Sequence, residues 1–170
     1  MATKPYVIVV GTDYSSHGYR AVRAAGREAA KHPYAKLYVV HVAPSSEPDH
    51  DLPPIAFASF GSKLGTDQHG DSFAKLDEHV AAALSNLPLP SELSVETMVL
   101  RGEPAYELME LGWKLRANLT VVGTRGRQYS STWALGSVAE TVVRQATSPV
   151  MVIGPRVQLT PGVQAKVALS

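Results

Sequence analysis

Five short apolar runs alternate along the chain with longer segments in which apolar residues recur every three or four positions. The runs lie at 6–10, 36–42, 93–100, 119–122 and 150–153. Four are nearly continuous in Val, Ile and Leu, the pattern of strands covered on both faces. The run at 93–100 alternates instead (Leu93, Val95, Thr97, Val99), which predicts a less buried edge strand. Between the runs, helical spacing predicts four helices. The first covers 17–31, with Gly18, Val22, Ala25 and Ala29 on one face. The second starts at a cap on Asp71 or Ser72 and carries Phe73, Leu76, Val80, Ala83, Leu84 and Leu87. The third opens at Gly102-Glu103-Pro104 with Leu108, Leu111, Gly112 and Leu115 inside, and the fourth covers 137–145.

Strands alternating with helices imply right-handed crossovers. The expected fold is α/β: a five-stranded parallel doubly wound sheet, order 3-2-1-4-5, with helices on both faces, of the Rossmann-like or flavodoxin-like kind. In that order strands one and four are neighbours where the sheet changes direction, and ligands bind there at the carboxyl ends. Residues 43–70 lack periodicity and are rich in Pro and Gly, so a long loop is expected, serving as a lid or partner surface. One domain over 1–155 and a C-terminal tail over 156–170 complete the expected organisation.

Composition narrows the function. At 170 residues and 45% hydrophobic content the chain can build its own core, and with no cysteine it has neither disulfides nor thiolate chemistry. A net charge of +1 supplies no field for nucleic acid, and no apolar run approaches a membrane span. A cytoplasmic protein is expected, without nucleic-acid or membrane partners. The histidines at 17, 32, 41, 50, 69 and 79 are not ligand-spaced, so no metal site is assigned; His41 beside a strand end reads as structural.

The chemistry concentrates after the fourth strand, in Gly123-Thr124-Arg125-Gly126, nine residues, then Gly136-Ser137 at a helix start. Backbone N–H groups and the dipole at a helix N-terminus stabilise an anion, glycines allow close approach, and Arg125 and Arg127 can offset phosphate charge. The loop lacks the lysine of a P-loop, and Gly11-Thr12-Asp13 after strand one lacks the dinucleotide fingerprint. Ser137-Val138-Ala139-Glu140 also reads as a capping box, so the glycines could equally serve a strand-to-helix turn.

With these pieces in place the chain resembles the universal stress protein family, in its nucleotide-binding branch. The resemblance rests on Val7 through Asp13 with Ser15-Ser16, on Leu37 through Val42, on Gly102-Glu103-Pro104, and on the glycine loop with Ser148-Pro149 and the last strand. It implies ATP, AMP or another adenine nucleotide, with Mg2+ accompanying ATP, and a homodimer paired through Val150–Ile153. Carried over by position, Thr12 and Asp13 meet the adenosine end, and Val42 meets adenine through its backbone. Gly123, Arg125, Gly126, Arg127, Gly136, Ser137 and Val138 surround ribose and phosphates. A carboxylate at Asp13 suits that polarity, since it repels a triphosphate but accepts from adenine N6 or ribose hydroxyls. Asn118 stands where the family commonly has an aspartate, at a position read as structural, and Gln128, Tyr129 and Trp133 make the loop bulky.

The expected function is an ATP-binding regulatory or stress-response protein whose nucleotide occupancy modulates a surface read by a protein partner. A slow ATPase or self-phosphorylating enzyme ranks lower, because no general base or water-positioning residue is evident. A dimerisation module that binds no nucleotide is the remaining alternative.

Overall fold

The computed structural model describes residues 4–43, 56–59, 70–125 and 135–155, with side chains of the 70–84 helix from Phe73 onward. The elements run β1 (Val7–Gly11), α1 (Ser16–Ala29), β2 (Lys36–Ala43), β3 (Ala56–Ser59), α2 (Gly70–Leu84), β4 (Ser94–Arg101), α3 (Pro104–Lys114), β5 (Leu119–Gly123), α4 (Ser137–Gln145) and β6 (Val150–Ile153). Five of the strands are parallel, in the order β4-β2-β1-β5-β6, which is the predicted 3-2-1-4-5.

Two expectations need correction. The 43–70 connection is not all loop, because Ala56–Ser59 forms β3, antiparallel to β4, as a sixth strand. The 93–100 strand is therefore not an edge: β4 pairs with β2 on one side and β3 on the other. An added strand satisfies the outward row of N–H and C=O groups that β4 would otherwise present. Burial follows, with Thr97, Met98, Val99 and Leu100 all inside.

Alternation along the strands sorts the core into two layers. Ile8, Val10, Leu37, Val39 and Val121 face α1 and α2, where Ala21, Val22, Ala25, Leu76 and Val80 cover them. Val7, Val9, Tyr38, Val40, Val42 and Val122 face α3 and α4, against Ala105, Leu108, Leu111, Ala139 and Val142. Fully burying a Val or Leu side chain is worth roughly 1.5–3 kcal/mol, so these two layers dominate the stability. Asn118 is structural, as read: its Oδ1 accepts from Val7 N at 2.9 Å and its own N–H donates to Val7 O at 2.8 Å. These bonds pin the start of β5 to β1 and set the register that brings Gly11 and Gly123 to the same end of the sheet.

Candidate functional site

The carboxyl ends of β1 and β5 diverge into a cleft of about 410 Å3, within the usual range of small-molecule sites, roughly 300–1,000 Å3. One wall is the turn after β1. Thr12 is 6% exposed, and four bonds hold it. Its N–H donates to Val40 O at 2.9 Å, and its carbonyl accepts from His41 Nδ1 at 3.0 Å. Its hydroxyl meets His79 Nε2 of α2 at 2.9 Å and accepts from Tyr14 N at 3.2 Å. A carbonyl only accepts, so His41 carries a proton on Nδ1. Tyr14 sits at φ +64°, a strained conformation for a tyrosine, with its ring centroid 4.3 Å from that of His41 and Lys75 Nζ over the ring at 4.5 Å from its centroid. Asp13 Oδ1 accepts from Ser15 N at 3.0 Å and Ser15 Oγ from Gly18 N at 3.1 Å, which turns the chain into α1.

The facing wall comes from β5 and α4. Thr124 N donates to Ile153 O at 2.9 Å, and Gly136 N donates to Thr124 O at 2.7 Å. The glycine loop thus leaves and returns at the same residue. Gly123 is required by close approach, since a Cβ there would lie 2.9 Å from the His17 Cβ and 3.0 Å from its backbone. The capping-box reading is overturned. Gly136, at φ −66° and ψ 155°, is the N-cap of α4 and has no side-chain bond, while Ser137 is already the first helical residue and is exposed. Its bond to Thr124 holds Gly136 extended, so the helix begins one residue earlier than the Ser-x-x-Glu pattern suggests. The first N–H groups of α4 open on the cleft without a hydroxyl across them.

Of the residues anticipated from sequence, Thr12, Asp13, Val42, Gly123, Arg125, Gly136, Ser137 and Val138 all line this cleft. Gly126 and Arg127 lie outside the described residues, as do Gln128, Tyr129 and Trp133. Sequence reasoning missed Gly18, His41, Pro104 and Leu108. Pro104 and Leu108 were legible as a helix start beyond a strand end, but their place against Val42 depends on crossover geometry. Burial holds the His79 pKa below its usual 6.5; Asp13 opposes that and His41 adds to it. Among the described residues no group of three or more His, Asp or Glu side chains could hold a metal ion. A second hollow, of about 430 Å3, lies at the opposite end of the sheet beside Gly112, Trp113 and Ser148. It is larger by a margin too small to matter, but it faces strand starts, away from every helix N-terminus described above.

Residues 6–154 match the Universal stress protein family. The chain belongs to that family. It is 32% identical over 149 residues to universal stress protein MJ0531 of Methanocaldococcus jannaschii, covering 86% of this chain and 80% of that one. It is 31% identical over 169 residues to a universal stress protein of Mycolicibacterium smegmatis, covering 91% of this chain but only 53% of the relative. The chain therefore spans about half the length of that relative. Among solved structures it is similar to a universal stress protein in complex with cAMP, at 25% identity and a TM-score of 0.59, covering 89% of this chain and 98% of that one. It is also similar to the universal stress protein from Archaeoglobus fulgidus in complex with dAMP, at 25% identity and a TM-score of 0.56, covering 90% and 99%. No described helix is long and apolar enough to cross a membrane.

Proposed function

We propose that this universal stress protein binds an adenine nucleotide in the cleft between β1 and β5 and acts as a nucleotide-loaded regulator. The carrying observation is that Asp13 and the uncapped start of α4 line one cleft from opposite sides. Phosphate belongs at the α4 start, beside Arg125, where N–H groups and the helix dipole favour negative charge. Adenosine belongs toward Asp13 and Val42, where a carboxylate accepts hydrogen bonds and Leu108 offers an apolar wall. Relatives in complex with cAMP and dAMP support the adenine nucleotide as the ligand class. ATP is our choice within that class, with AMP the alternative. Mg2+ would then ride on phosphate oxygens and water, since this ion keeps several waters and needs few protein ligands.

In this reading, Thr12, Asp13 and Val42 hold the adenosine end. Gly123, Arg125, Gly136, Ser137 and Val138, with Gly126 and Arg127 of the loop, hold ribose and phosphates. One domain over 1–155 followed by a tail at 156–170 carries the site, in a cytoplasmic protein. A homodimer through Val150–Ile153 fits an edge strand whose four residues are half-buried in the single chain. Nucleotide occupancy would alter the surface around the glycine loop that a regulatory protein partner reads. Mass spectrometry of the small molecule released on denaturing gently purified protein tests the ligand. An adenine nucleotide in near-stoichiometric amount is expected. Its absence, together with no rise in melting temperature on adding ATP or AMP, would overturn the reading.

A further inference from the structure

Outside the residues assigned above, three buried polar atoms lack hydrogen-bond partners where α1 meets the end of β5: His17 Nε2, Arg20 Nε and Thr124 Oγ1. Thr124 follows Gly123, where an added Cβ would lie 3.0 Å from the His17 backbone, and Arg20 is one helical turn beyond His17. The group borders the cleft, because Gly18 and Arg125, the chain neighbours of His17 and Thr124, line it, as does Asp13, whose charge also acts on His17. The Arg20 and Arg125 charges both act on His17, which burial first of all holds below its usual pKa. A buried donor without a partner is costly, and a guanidinium cannot shed its charge. Such a group of atoms is explained by an anion that completes it.

We propose that His17, Arg20 and Thr124, beside Arg125, receive the outer phosphates of a nucleoside triphosphate and so set a preference for ATP over AMP. The proposal rests on the adenine-nucleotide reading of the cleft. The count of phosphate oxygens favours it. The start of α4 and Arg125 can face one phosphate group, whereas a triphosphate adds two more whose oxygens, beyond those taken by Mg2+, need hydrogen-bond donors of their own. A side chain that touches only the outer phosphates changes the affinity for ATP and leaves that for AMP alone.

The test is calorimetric titration of the full chain with ATP and with AMP, both with Mg2+, for the native protein and for Arg20→Gln, Arg20→Lys and His17→Ala. Native protein should bind ATP more tightly than AMP. Arg20→Gln and His17→Ala should each weaken ATP about tenfold while AMP stays within about twofold, and Arg20→Lys should restore much of the loss. Retained AMP affinity also reports an intact fold. Equal affinity of the native protein for both ligands, unchanged ATP binding in the variants, or a parallel loss of both ligands would overturn the proposal while leaving the cleft reading standing. Native protein that binds neither nucleotide would overturn both.

Discussion

The starts of α1 and α4 both line the cleft, yet they are built differently. At α1 the chain supplies its own acceptors: Asp13 Oδ1 takes Ser15 N, and Ser15 Oγ takes Gly18 N at 3.1 Å. At α3, Glu103 likewise takes Tyr106 N at 2.7 Å. At α4 the cap is Gly136, which has no side chain to offer. A helix start whose N–H groups are spent on its own cap works as a joint. One capped by glycine keeps those donors for an anion from outside. The difference explains why two helix ends at one cleft have unequal roles.

The strongest way to break the comparison is to give α4 a cap of its own. Gly136→Asp suits the observed backbone, since φ −66° is open to any residue. Its carboxylate should occupy the α4 donors and repel phosphate, lowering ATP affinity about a hundredfold in calorimetric titration. The melting temperature should hold or rise slightly, because an Asp cap exceeds a Gly cap by only a few tenths of a kcal/mol.

The next effect separates the two serines. Ser15→Ala should cost about 1 kcal/mol in urea unfolding, the usual worth of a side-chain N-cap. Ser137→Ala should stay within about 0.5 kcal/mol, because Ser137 is exposed and caps nothing. If Ser137→Ala proved the costlier of the two, the assignment of the α4 cap to Gly136 would be wrong.

The smallest expected effect is in pH. His79 ties α2 to Thr12, and its folded pKa lies below 6.5, chiefly through burial. The unfolded chain therefore takes up a proton that the folded one resists. Stability is fully present above the unfolded value and is lost as pH falls from there toward the folded value. His17 acts in the same direction. Urea unfolding across that interval should show declining stability, and His79→Gln should flatten the decline. A slope unchanged by His79→Gln would assign it elsewhere.

Most of the parallel sheet was legible because each strand and helix advertises itself locally. The continuous apolar run at Val7–Gly11 admits few other readings, and Leu76, Val80 and Ala83 fall at helical spacing and are buried. β3 was not legible: four residues acquire strand character only because β4 presents an open edge, 37 or more positions along the chain. The Ser-x-x-Glu pattern misled for a related reason. A capping box depends on local spacing, whereas the start of α4 is set by the bond from Gly136 to Thr124 across the neck of a loop.

By itself, then, the sequence determined the five parallel strands, their helices and the residue types that gather at the cleft, because periodicity and glycine spacing act over a few residues. Only the tertiary structure decided how those residues divide the work. The link from Thr12 to His79 spans 67 positions, and the contact of Gly123 with His17 spans two walls of the cleft. Such contacts arise from crossovers that bring distant segments together, and no local pattern encodes them.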